Sequence, residues 1–162
     1  MTIAVYPGTF DPVHYGHIDI AKRAALLFEK VIIGIYERPN GKEVLFSASE
    51  RLRMMRDAVE AVANVEVTSY SGLTVDFVRS QGATVVVRGL RVYSDFEYEY
   101  QMALMTRKLA PNVDMVCLMT DLEYAFLSSS LIKDVAASGG SVRQFVPPGV
   151  AEALQLRLQD DN

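Results

Sequence analysis

Two histidines, His14 and His17, stand three residues apart and close the run GTFDPVHYGH over residues 8–17. They are the only histidines in a chain of 162 residues. An imidazole at the start of a helix can donate to a phosphate oxygen, and the free N–H groups and dipole there also favour an anion. Gly8 permits a tight turn, and Gly16 lets a ligand approach the backbone where no side chain intrudes. The same spacing also suits a metal pair, although no third Cys, Asp or Glu ligand is obvious nearby. Incidental surface histidines are the plain alternative.

A second cluster is Arg88-Gly89-Leu90-Arg91. Two guanidinium groups around a glycine can grip phosphate oxygens in a fork; taken alone the pair suits surface ion pairing better, and its position at a strand's carboxyl end reverses that preference. A third is Ser128, Ser129 and Ser130, which offer hydroxyls and N–H groups at the opening of a helix, where one serine would suffice as a cap. Lys42 follows Gly41 in a loop; an isolated loop lysine is usually solvated. Thr74 ends the stretch Ser71-Gly72-Leu73-Thr74, which reads as a plain loop on its residues alone. No Ser-His-Asp or Cys-His nucleophile arrangement is apparent.

The elements that must position these groups alternate. Strands are expected at residues 3–6, 31–36, 65–69, 84–87 and 115–119, the first broken by Pro7 and Gly8. Helices are expected from about Gly16, after the capping-box spacing of Ser47 and Glu50, over 75–81, after a second such spacing at Ser94 and Glu97, over 131–137, and from Pro147-Pro148 to Leu158. The run 84–87 is β-branched throughout, which suits a strand buried on both faces. Strands separated by helices imply a five-stranded parallel sheet, doubly wound with helices on both faces. Ligands of such sheets bind beyond the carboxyl ends of the strands, and every cluster above follows a strand.

Composition bounds the rest. With 50% hydrophobic and 22% charged residues, the chain fits one globular domain spanning 1–162. A net charge of −4 argues against a nucleic-acid groove but not against a small anion held by a few local cations. No run is long and apolar enough for a membrane span, and the start lacks a basic leader. Cys117, the single cysteine, lies in the apolar run 115–119 and is expected to be a buried strand residue. A reducing cytoplasm fits.

The helix after Ser94 carries two apolar rows, Phe96, Tyr100 and Ala103 beside Tyr98, Met102, Met105 and Leu109. One buried stripe is enough for a surface helix, so the second row suits a ligand tunnel, a subunit contact or deeper burial in the core.

The H-x-G-H run resembles the signature of the nucleotidyltransferase superfamily, whose fold is Rossmann-like. YPGTFDP with GHIDI, RGLR with DFEYE, and the serine triplet together resemble the bacterial phosphopantetheine adenylyltransferases over nearly the whole chain. Leu127 stands where that family usually has isoleucine, and its loop commonly shows two adjacent lysines where this chain has Lys42 alone. The resemblance implies transfer of the adenylyl group of ATP to 4'-phosphopantetheine, giving dephospho-coenzyme A and pyrophosphate. It implies catalytic roles for His17, Lys42 and Arg91, and acceptor binding by Thr9, Lys42, Thr74 and Arg88. ATP would be framed by Thr9, Phe10, His17, Gly89, Leu90, Arg91, Glu99, Tyr124, Ala125, Phe126, Leu127, Ser128, Ser129 and Ser130. Magnesium would be held mainly by the ATP phosphates and not by protein ligands. A homohexamer and feedback by coenzyme A are implied in the same way. Three readings stand beside this one: a related adenylyl- or cytidylyltransferase with another phosphorylated acceptor, a tRNA synthetase fragment, and a non-catalytic nucleotide-binding module.

Overall fold

The computed structural model describes residues 2–39, 41 and 43–159. Along the chain, β1 (Ile3–Gly8) leads into α1 (Tyr15–Leu27), β2 (Lys30–Tyr36) into α2 (Ala48–Val59), and β3 (Val65–Tyr70) into α3 (Thr74–Ser80). Then β4 (Val85–Leu90) leads into α4 (Tyr93–Leu109), and β5 (Asp114–Met119) is followed by a 3₁₀ turn (Leu122–Tyr124), α5 (Ser129–Ala137) and α6 (Pro148–Gln159). The strands form one parallel sheet in the order β3-β2-β1-β4-β5.

Period-two alternation splits the core between the two faces of this sheet. Ala4, Tyr6, Ile33 and Val87 join side chains from α1, α2, α5 and α6 on one face. Val5, Ile32 and Val86 meet Val75, Phe77 and Val78 of α3 on the other. The winding reverses between β1 and β4, and there the sheet parts. β1 pairs with β2 along all six of its residues, from Ile3↔Lys30 to Gly8↔Ile35. With β4 only Ala4↔Val85 and Val5↔Val86 are matched. Beyond Val5 a crevice opens at the carboxyl ends of the two strands, the place where such sheets hold ligands.

Several local expectations hold. Ser47 and Glu50 form a reciprocal capping box at α2, and Gly82 takes the left-handed conformation (φ 66°) after α3. Others are corrected. Pro7 and Gly8 do not break β1, because the strand keeps its register with β2 through Gly34 and Ile35. The Ser94–Glu97 spacing makes no box: α4 starts at Tyr93 after Val92, with no side-chain cap, while the Asp95 carboxylate accepts from Arg91 N–H at 3.1 Å. Cys117 is exposed, because β5 is an edge strand with no fully buried residue. Neither apolar row of α4 is core; the residues that helix buries are Glu99 and Thr106.

Candidate active site

The turn after β1 is shaped by ring packing. A Cβ on Gly8 would stand 2.7 Å from the Phe10 ring, so only glycine leaves room for it. Phe10 adopts φ 49°, an uncommon conformation for a residue with a side chain, and its ring stands edge-on to His17 with centroids 4.9 Å apart. The role of Gly8 is thus clearance for an aromatic ring and not a reversal of the chain.

The two histidines form a capping box of their own. His17 N–H donates to His14 Nδ1 at 3.4 Å, and His14 N–H donates to His17 Nδ1 at 3.2 Å. The rings stack with centroids 3.6 Å apart. A Cβ on Gly16 would lie 3.0 Å from the His14 ring, so the glycine between them makes room for the stack, and it also lines the cavity. With both Nδ1 atoms accepting, each neutral ring carries its proton on Nε2. Burial pushes the His14 pKa down to about 3, helped by the charge of Arg91. His17 is likewise held well below its ordinary value by burial, then by His14, Arg91 and Arg88. Both are therefore uncharged N–H donors at neutral pH. The spacing that suits a metal pair is used for helix capping instead. Among the described residues, no three His, Cys, Asp or Glu side chains are grouped to hold a metal.

Across the crevice, Arg88 leaves β4 and reaches back to β1. Its Nη1 donates to Pro7 O at 2.8 Å, while Nε and Nη2 grip the Glu99 carboxylate at 2.8–3.0 Å. Burial opposes its charge, but the hydrogen bonds and charge of Glu99 outweigh that and raise its pKa. Arg91 is set by Asp95 through Nε at 3.0 Å and by Leu127 O through Nη1 at 2.8 Å. Asp95 and Glu99 are thus holders of the two arginines. This clamp is pre-formed and its cations have defined directions.

The serines divide their labour. Ser128 is the N-cap of α5 and accepts from Leu131 N–H at 3.1 Å, the plain capping role. Ser129 Oγ donates to Pro12 O at 2.8 Å, docking the helix onto the β1–α1 turn. Ser130 is exposed on the rim.

These parts enclose one cavity of about 630 Å³. Thr9, Phe10, His17, Thr74, Arg88, Gly89, Arg91, Glu99, Tyr124, Ser128, Ser129 and Ser130 all line it. Leu90, Ala125, Phe126 and Leu127 do not: Leu90 and Leu127 point into the core, and Phe126 packs edge-on against Phe145. Only the Leu127 carbonyl serves the site, through Arg91. Lys42 lies outside the described residues.

His14 shares the wall with His17. Two groups on the same wall escaped sequence reasoning, Asp11 and Lys133. Asp11 is 3% exposed; it accepts from Leu45 and Phe46 N–H at 2.8 and 2.9 Å and from Lys133 Nζ at 2.9 Å. Three segments meet on that carboxylate. Apolar side chains also line the cavity, among them Val75, Val86, Met102 and Met115. Its lining thus combines cations and N–H donors with lipophilic surface.

Known proteins agree with this geometry. The Cytidylyltransferase-like family profile matches residues 5–135. The chain is 54% identical over 160 residues to a phosphopantetheine adenylyltransferase of Heliobacterium modesticaldum, covering 99% of this chain and 95% of the relative. It belongs to the phosphopantetheine adenylyltransferase family. The member from Thermomicrobium roseum is also 54% identical, over 96% of this chain and 95% of its own. Among solved structures, the Plasmodium falciparum nicotinic acid mononucleotide adenylyltransferase complexed with NaAD superposes with a TM-score of 0.71. That match covers 99% of this chain and 96% of the other at 14% identity, so the two share a fold. Phosphopantetheine adenylyltransferases are thus its sequence family, on a nucleotidyltransferase fold.

Proposed function

We propose that this chain transfers the adenylyl group of ATP to 4'-phosphopantetheine, yielding dephospho-coenzyme A and pyrophosphate. The observation that carries the reading is the neutral His14–His17 box facing Arg88 and Arg91 across the β1–β4 crevice. Family membership at 54% identity supports the choice of acceptor, and so does a cavity lined by both cations and apolar side chains.

The chemistry follows from charge. An oxygen of the acceptor phosphate, already ionised, attacks the α-phosphorus of ATP. The bond from that phosphorus to the α–β bridging oxygen breaks, and its electron pair leaves with pyrophosphate. No general base is needed, and the two imidazoles are poor candidates for one, because each Nδ1 lone pair already accepts from a backbone N–H and burial lowers the basicity of both rings. The protein instead aligns two polyanions and meets the charge that gathers on the α-phosphate. His17 Nε2–H donates to that phosphate; Arg91, the backbone of Thr9 and Phe10, and the amino end of α5 frame the nucleotide. Arg88, Thr74 and Lys42 hold the acceptor. Magnesium bound with the nucleotide would supply neutralisation of the phosphate charge, while Arg88, Arg91 and His17 do the orienting.

The other partners follow as parts of the same proposal. Coenzyme A contains the same phosphopantetheine arm and would compete for the same cavity as a feedback ligand. Association into a homohexamer is supported by apolar side chains on two sides of α4, Phe96 and Leu104 on one and Met105 on the other, each more than half exposed. No helix among the described residues is long and apolar enough to cross a membrane, and a cytoplasmic enzyme is the setting proposed.

Pyrophosphate release measured with each phosphorylated acceptor in turn tests the reading. Release with 4'-phosphopantetheine, and far less with nicotinate mononucleotide or glycerol phosphate, is expected. ATP binding without release for any acceptor would favour a nucleotide-binding module.

A further inference from the structure

The most deeply buried charge in the molecule lies behind the cavity wall and not in it. Arg51 of α2 is 0% exposed. Its Nε donates to Phe46 O at 3.0 Å, its Nη1 to Thr9 O at 2.7 Å and to Tyr36 O at 2.8 Å, and its Nη2 to Glu37 O at 3.1 Å. Every acceptor is a main-chain carbonyl. None of the ion pairs among the described residues includes it. Burial disfavours its charge, and the carboxylates of Asp11 and Glu37 support it only through space and not in contact; an apolar residue would fill the same core position at no such cost. What a guanidinium adds is a planar fork of donors that fixes several carbonyls at once.

Those carbonyls have one thing in common. Thr9 follows β1 in the phosphate-binding turn, and its cavity-facing geometry depends on where its carbonyl points. Tyr36 and Glu37 end β2, and Phe46 precedes α2, so Glu37 and Phe46 bracket the loop that contains Lys42. The Phe46 peptide is held from both sides, its N–H by Asp11 and its carbonyl by Arg51.

We propose that Arg51 is a positioning residue for adenylyl transfer: its guanidinium holds the Thr9 peptide and both ends of the 37–46 loop in one rigid frame. The inference rests on the adenylyl-transfer reading of the same cavity. Charge on the α-phosphate grows only in the transition state, and a misplacement of about 1 Å there can lower the rate on the order of a hundredfold. Loss of the frame therefore lowers kcat more than it raises KM.

R51K keeps the charge and loses the fork; R51Q loses the charge and keeps a short polar group. Both are compared with the wild type by circular dichroism, by kinetics, and by hydrogen exchange at the amides of residues 9–11 and 43–47. Expected are native spectra, kcat lower by about tenfold or more, KM for ATP changed by less than about threefold, and faster exchange at those amides alone. Wild-type turnover with unchanged exchange would overturn the inference. So would failure of both variants to reach the native state, since Arg51 would then be holding the fold and not the site. A wild-type protein that releases no pyrophosphate defeats the adenylyl reading by itself. The exchange pattern still decides whether Arg51 sets these peptides.

Discussion

The turn after β1 and the outer face of α4 treat their side chains in opposite ways. In the turn the side chains are tied down within the chain: His14 and His17 cap each other, Asp11 gathers two N–H groups and Lys133, and Ser129 closes on Pro12. On α4 the polar residues Glu99 and Thr106 are buried while Tyr93, Phe96, Leu104, Met105 and Leu109 face outward. One region is finished by its own fold and poised before any ligand arrives. The other carries an apolar patch that a lone chain does not cover, the sign of a surface made for association. The lesson is that this chain ties the walls of its crevice together internally and leaves an apolar helix surface uncovered.

The comparison can be broken at its strongest point first. His17→Ala removes the donor aimed at the α-phosphate; kcat should fall about a hundredfold or more, with a smaller change in KM for ATP. Ordinary turnover in steady-state assays would mean the finished region is not where transfer occurs. Met105→Glu places a charge on the α4 face. Sedimentation velocity should then find smaller species than the wild type at equal concentration. A wild type that sediments as a monomer would remove the contrast between the regions.

Two smaller effects sharpen the account of the turn. Folded His14 titrates near 3, against 6.5 for the free side chain, and His17 is shifted the same way. Between those values the unfolded chain binds more protons, so stability rises with pH from about 3 to 6.5 and is fully present above that. Imidazole nitrogen resonances should report neutral Nε2–H tautomers at pH 5 as at pH 7.5; a midpoint near 6.5 would contradict the interlocked box. Smallest is Ser128→Ala, which loses the α5 cap: about 1 kcal/mol, or roughly 2–4 °C in a thermal melt.

Much of this was legible in the residues. The β-branched run at 84–87, the Ser47–Glu50 box and the position of RGLR at a strand end located the crevice. Recognition of the family motifs named His17, Arg88, Arg91 and the serines. Leu90 and Leu127 face inward because an RGLR or LSSS string does not say which side chains turn to the core. Arg51, Asp11 and Lys133 stayed hidden for a different reason. Their partners lie up to 122 residues away or are main-chain carbonyls, which carry no residue-type signal. The α4 rows were read correctly as apolar, but whether apolar means core depends on what packs above them. The false box at Ser94 shows that spacing alone cannot choose a cap when Asp95 already holds Arg91.

The central claim is that this site aligns its reactants and supplies no nucleophile of its own. Transfer from ATP made chiral at the α-phosphorus with a sulfur substituent reads that directly. A single in-line displacement predicts inversion at phosphorus in the product. Retention would mean two displacements through an adenylylated side chain, and that would contradict a site built from neutral imidazoles and fixed cations.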